Sequence, residues 1–355
     1  MSVVALAIAA VERGWVPDRV TRAAMRRLCG ARLQQSAQAE TRAAAGDRNS
    51  ALDAFCAELR RGPIALVPEK ANEQHYELPT EFFQLLLGPR LKYSCCLFRD
   101  DQTTLADAEE AALAATAENA GLCDGQEILE LGCGWGSLSL WMAERFPAAR
   151  ITAVSNSAVQ RKFIEQRAAQ QGLTNLRVLT ADMNQFSAEA GRFDRVVSVE
   201  MFEHMHNYER LLERIAGWLR DDGRLLVHWF CHRQWAYMFG TAGDDDWMGR
   251  HFFTGGLMPA EGLLQRFDRD LEVVEKHAWN GNHYRRTAEA WLENLDGRRD
   301  EAVAILAGVY GRREAARWLE RWRMFLMAVA ELFGYDDGRE WFVSHQLLRP
   351  TRGRR

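Results

Sequence analysis

The segment Glu200-Met-Phe-Glu-His-Met-His206 places two carboxylates and two histidines directly after the apolar run Phe193-Asp-Arg-Val-Val-Ser-Val199. The end of a buried strand is a costly place for solvated charge. If the chain after Val199 is helical, three- and four-residue spacing puts Glu200, Glu203 and His204 on one face. Such a face can bind a cation and take a proton from it. Helix-terminal charges without a chemical role are the plainer alternative.

A second group lies upstream, in Glu127-Ile-Leu-Glu-Leu-Gly-Cys-Gly-Trp-Gly-Ser137. Ile128, Leu129 and Leu131 supply a buried strand, and Gly132, Gly134 and Gly136 let the backbone turn sharply into a helix while a nucleotide-like ligand approaches closely. A dinucleotide fingerprint requires G-x-G-x-x-G, with a pyrophosphate at the helix N-terminus. Here the third glycine comes one residue early and Glu130 precedes the turn. A carboxylate there repels a pyrophosphate but attracts an ammonium, so the turn suits S-adenosylmethionine better than NAD.

Other strand ends add polar groups. Asn156, Ser157 and Gln160 follow Ile151–Ser155, where an acidic residue would usually hold a ribose, and an amide can bond the same hydroxyls. Asp182, followed by Met183, can accept from an adenine amino group or serve as a turn residue. Tyr93, Ser94 and Cys95 could close over a cofactor or form a packed turn. His228, Cys231 and His232, at the opening of the fifth strand, read as packing residues and imply no metal.

The elements that must position these residues alternate. Strands are expected near 127–131, 150–155, 176–180, 193–199, 223–230, 271–279 and 343–348, with helices between the first five. That alternation predicts an α/β fold, a Rossmann-like and mostly parallel seven-stranded sheet with its crevice at the carboxyl ends of the strands. A capping box is expected at Thr104–Asp107.

Residues 1 to about 62 read as helical, with a second helix opening at Pro17-Asp18, and Gly62-Pro63 and Pro68 mark a linker. The organisation expected is a helical N-terminal extension over 1–75 and a catalytic domain over 76–355. A helical cap and an oligomer surface, as in a homodimer, are the two readings of the front piece. Segments at about 231–270, with Asp244-Asp-Asp-Trp247, and 280–340 are expected to cover the substrate. Trp318, Trp322, Phe325 and Val329 recur at helical spacing and read as core.

The net charge of −4 over 355 residues gives no electrostatic case for nucleic acid, and Arg349–Arg355 reads as a solvated tail. Seven cysteines without a C-x-x-C pair suggest reduced thiols in a cytoplasmic protein. The apolar run Val3–Val11 is too short to span a bilayer and has no preceding positive charge, so neither a transmembrane segment nor a signal peptide is expected.

Several motifs in one order carry a resemblance: Tyr76-Glu-Leu-Pro, Leu91-Lys-Tyr-Ser-Cys-Cys, Glu130-Leu-Gly-Cys-Gly, Thr152-Ala-Val-Ser-Asn-Ser157, Glu200-Met-Phe-Glu-His-Met, Asp245-Asp-Trp, His283-Tyr-Arg-Arg-Thr and Gly334-Tyr-Asp-Asp-Gly-Arg-Glu-Trp341. Together they resemble the cyclopropane fatty acid synthase-like S-adenosylmethionine methyltransferases, and within that group the coclaurine N-methyltransferases. The resemblance implies that Tyr93, Ser94, Gly132, Gly134, Asn156, Gln160, Asp182 and Met183 contact S-adenosylmethionine. It also implies that Glu200, Glu203 and His204 handle a small, aromatic or cyclic amine. Lipid cyclopropane synthases of the group hold a bicarbonate ion as base, and Cys95, Glu203, His228 and Tyr284 stand at what look like those positions. An unsaturated lipid with bicarbonate is therefore the alternative to an amine.

Overall fold

The computed structural model describes residues 2–46, 51–67, 78–243 and 246–351. Seven strands form one sheet in the order β3-β2-β1-β4-β5-β9-β8. They are β1 Glu127–Leu131, β2 Arg150–Ser155, β3 Leu176–Thr180, β4 Phe193–Val199, β5 Leu219–His232, β8 Leu271–Trp279 and β9 Trp341–Pro350. The first five pair in parallel, and β9 runs antiparallel between β5 and β8. β5 begins at Leu219 and β9 at Trp341, both earlier than their periodicity suggests.

The centre of the sheet is dry. Ile128, Leu129 and Leu131 of β1 and Val196 and Val197 of β4 are fully buried, as expected of apolar parallel strands covered on both faces. After β1 the chain winds outward to β3 and then returns to β4 on the other side of β1. The β1/β4 boundary is thus the switch point at which an open α/β sheet forms its crevice.

The helix Leu105–Ala120 packs beside this crevice. It opens on the expected capping box, with Thr104 and Asp107 bonding each other's backbone, and stops at left-handed Gly121. At the other end of the chain, Ala315–Phe333 buries Trp322 and Phe325 and packs on Asn282–Gly297. The stripe read as core is core at those two positions.

Between β5 and β8 stand a short two-stranded ribbon, β6 Tyr237–Met238 with β7 Leu257–Met258, and the helix Trp247–His251. Pro68, Tyr76, Asp244, Asp245 and the last four residues of the basic end, all singled out in the sequence, lie outside the described residues. Among the described residues no helix is long and apolar enough to cross a membrane, no His/Cys/Asp/Glu cluster could hold a metal, and all seven cysteines are free.

Candidate active site

The cleft at the switch point encloses about 1250 Å³ including its open mouth. Tyr93, Ser94, Glu130, Gly132, Gly134, Asn156, Gln160, Asp182 and Met183 all line it, as do Glu200 and His204. The turn after β1 explains one wall. Gly132 has φ +78°, and a Cβ there would stand 2.7 Å from Met201 Cβ. Gly136 has φ +80°, and a Cβ there would stand 2.6 Å from Ile164. Only glycine fits either position. Gly134, with φ +52°, would place a Cβ with no atom within 4 Å, on the open side of the turn.

The cleft suits a nucleoside that also carries an ammonium. Gln160 is buried; its Oε1 accepts from the Ser155 hydroxyl at 2.7 Å, while its Nε2 lacks a partner among the described residues. Ser137 Oγ, at the head of the helix that follows β1, is likewise without one. Glu130 is fully buried with the Ser139 hydroxyl donating to it, and burial pushes its carboxyl up to about 8. A buried carboxylate without a cation is an acceptor for a positively charged ligand. Asp182 serves partly as a turn residue, its Oδ1 accepting the Asn184 N–H at 2.9 Å.

The segment Glu200–His204 departs from the helical expectation. Glu200 N–H donates to the His228 carbonyl at 2.8 Å, so the chain is still paired with β5 one residue past β4. It then turns through Glu200 at φ +48° into the 3-10 turn Phe202–His204. Left-handed backbone at a glutamate is strained, and such strain concentrates at functional sites. The three residues therefore do not share one face. Glu200 and His204 face the cleft, whereas Glu203 turns toward β5, where its Oε1 accepts the Phe230 N–H at 2.8 Å.

Three donors converge on the Glu200 carboxylate. Cys95 N–H donates to Oε1 at 2.9 Å, His228 Nε2 lies 3.3 Å from Oε1, and the Tyr284 hydroxyl donates to Oε2 at 2.7 Å. Three of the four residues read as a bicarbonate seat are thus engaged by Glu200, a planar O–C–O anion like bicarbonate itself. The fourth, Glu203, makes no such bond. Cys95 contributes its amide, while its buried thiol is pushed well above the usual range by burial and by Glu200.

Electrostatics separate the two glutamates. Burial raises Glu200, but Lys92 and the bonds from Cys95 and Tyr284 oppose it. Burial raises Glu203 much further, and the neighbouring Glu200 charge adds to it. Adjacent buried carboxylates do not both ionise readily, and of the two it is Glu203 whose protonated form burial and its neighbour favour more. Burial holds His204 down to about 4, and His228 well below its usual value, so both rings are neutral. His204 stacks on Phe253 with ring centroids 4.8 Å apart.

Residues 67–339 match the family described as mycolic acid cyclopropane synthetase. The chain belongs to this family. It is 36% identical over 343 residues to an (S)-coclaurine N-methyltransferase from Thalictrum flavum subsp. glaucum, covering 96% of this chain and 94% of the relative. A crystal structure of coclaurine N-methyltransferase bound to N-methylheliamine and SAH superposes with a TM-score of 0.92 at 35% identity, covering 98% of this chain and all of that one. Cyclopropane mycolic acid synthase 1 of Mycobacterium tuberculosis is 28% identical over 78% of this chain and 97% of its own. The protein is an S-adenosylmethionine-dependent methyltransferase of the class I, Rossmann-like type.

Several lining residues escape a reading by motif. Lys92, Met201, Thr254 and Gly255 border the cleft. Lys92 and Met201 lie within Leu91-Lys-Tyr-Ser-Cys-Cys and Glu200-Met-Phe-Glu-His-Met, but their types carry no sign of their burial at the cleft. Thr254 and Gly255 come from the segment expected to cover the substrate, but nothing in their types announces a site.

Proposed function

We propose that this methyltransferase acts on the nitrogen of a small cyclic amine bearing an aromatic ring, of the kind methylated by the coclaurine enzymes. The observation that carries this reading is the Glu200 carboxylate, held by Cys95, His228 and Tyr284 at the cleft beside His204. A fixed, buried anion has a use for a substrate that arrives as an ammonium and little use beside an alkene.

S-adenosylmethionine supplies an electrophilic methyl group on a sulfonium. The chain's part is to prepare a nitrogen lone pair for it. Glu200 attracts the ammonium and takes its proton at a carboxylate oxygen, a transfer eased because burial raises the carboxyl and lowers an amine. Neutral His204, on the same cleft, offers a ring nitrogen that orients the remaining N–H. Tyr93, Ser94, Asn156, Gln160, Asp182 and Met183 hold the nucleoside, and Glu130 its amino-acid ammonium.

The lipid alternative requires the donors around Glu200 to seat bicarbonate instead. Incubating the protein with S-adenosylmethionine and either tetrahydroisoquinoline amines or unsaturated phospholipid, with and without bicarbonate, separates the two by product mass. Methylated amine that disappears in Glu200→Gln supports the proposal. Bicarbonate-dependent addition to the lipid, with no amine product, overturns it.

A further inference from the structure

Lys92 is a buried side chain to which the proposed reaction assigns no part. It is 2% exposed and borders the cleft. Its Nζ donates to Ser94 Oγ and to the Cys95 carbonyl, both at 2.6 Å. Among the described residues no carboxylate comes within ion-pair distance of that nitrogen. The nearby carboxylate of Glu109 is held by other groups, accepting the backbone N–H of Arg90 at 2.8 Å and of Lys92 itself at 3.1 Å. An ammonium taken out of water and bonded only to neutral oxygens is expensive to keep unless its charge is needed.

The turn it clamps is the one whose next amide reaches the catalytic carboxylate. Lys92 bonds the carbonyl of Cys95, and the N–H of Cys95 bonds Glu200 Oε1. We infer that Lys92 is a positioning residue for Glu200: its ammonium clamps the Ser94–Cys95 turn whose N–H bonds that carboxylate, and it brings a buried positive charge to that side of the cleft. This rests on the reading of Glu200 as the group that accepts the substrate proton.

Lys92 and His204 are the basic side chains that oppose burial at Glu200, and burial holds His204 down to about 4. Burial also keeps His228 well below its ordinary value and raises Tyr284, Cys95 and Glu203. Lys92 is also the leading influence opposing burial at Glu200, and it contributes to keeping His228 and His345 uncharged. It further lowers Glu109 and Cys96, each of which burial nonetheless raises. A mobile amine base at this place would compete with Glu200, whereas a clamped ammonium supports it.

The test is the pH profile of kcat/KM for amine methylation in Lys92→Met and Lys92→Arg. Removing the charge raises the Glu200 carboxyl, so the acid limb of Lys92→Met should move up by about one pH unit, a loss of roughly tenfold below the limb. S-adenosylmethionine affinity should change by less than about threefold. Lys92→Arg keeps the charge and should leave the limb in place while lowering kcat through its different geometry. If Lys92→Met does not fold, Lys92→Gln, which keeps donors for Ser94 and Cys95, is read in the same way. An unmoved limb in a folded neutral variant overturns the inference. Glu200→Gln tells this apart from failure of the parent reading: if that variant still turns over normally, Glu200 itself is misassigned.

Discussion

The Tyr284 hydroxyl donates to Glu200 Oε2 at 2.7 Å, joining a helix residue to a strand-end residue 84 positions earlier in the chain. The bond favours the charged carboxylate, so removing it raises Glu200. Tyr284→Phe should therefore lower kcat for amine methylation by roughly tenfold, the scale of one hydrogen bond to a charged group. The loss should be larger on the acid side of the profile. Cofactor affinity by calorimetry should stay within about twofold of wild type, and added bicarbonate should not restore the rate.

The role proposed for Glu130 makes cofactor binding depend on pH. Its carboxyl, pushed up to about 8 by burial, is largely protonated at pH 7 in the ligand-free protein. An arriving ammonium stabilises the ionised form, so binding at pH 7 should release close to one proton. Titrations in buffers of different ionisation enthalpy measure this directly, and Glu130→Gln should abolish the release. The sign for stability follows. The folded state binds this proton between about 4.5 and 8 and the unfolded state does not, so the ligand-free protein loses stability from this group as pH rises through that window. The rise in Tm on adding S-adenosylmethionine should accordingly be larger at pH 8 than at pH 6.

The glycine turn gives two contrasting outcomes. Gly132→Ala meets Met201 Cβ at 2.7 Å and Cγ at 2.8 Å on a left-handed backbone. Left-handed strain costs about 1–2 kcal/mol, and overpacking typically adds about 1–3 kcal/mol, so Tm should fall by several degrees. Gly134→Ala meets no protein atom within 4 Å and carries only the backbone strain. Its Tm should stay nearer to wild type while its affinity for S-adenosylmethionine drops, because the added methyl stands at the cleft. Equal melting temperatures for the two variants would refute the assignment of Gly134 to ligand approach and Gly132 to packing.

The glycine-turn side of the cleft was legible in the sequence because it is local. Strand, glycine turn and helix are adjacent along the chain, and each strand end carries its own polar residue. The substrate half was not, because its geometry is set between strands. Glu200 is denied a helical backbone by its bond to the His228 carbonyl on β5, and its carboxylate is oriented by Cys95 and Tyr284 from distant segments. Spacing of Glu200, Glu203 and His204 predicted one helical face, whereas Glu200 and His204 line the cleft and Glu203 turns to β5. The seven strands and their mostly parallel sheet were legible from the alternation of apolar strands and helices.

The two glutamates should separate cleanly under substitution. Glu203 is fully buried, burial and the neighbouring Glu200 both favour its protonated form, and its Oε1 accepts the Phe230 N–H. Glutamine is close to isosteric with that protonated acid and keeps the acceptor. Glu203→Gln should thus retain kcat within about threefold, with an unchanged pH profile. Glu203→Ala leaves the Phe230 N–H buried without its partner and opens a cavity, which should cost about 2–5 kcal/mol of stability and reduce activity through unfolding. Glu200→Gln removes the charge that attracts the ammonium and the oxygen that takes its proton, so turnover should fall by at least about a hundredfold with Tm near wild type. Measuring kcat and Tm for the three variants side by side decides it: if Glu203→Gln loses turnover as Glu200→Gln does while remaining folded, the proton acceptor is Glu203 and the division of roles is reversed.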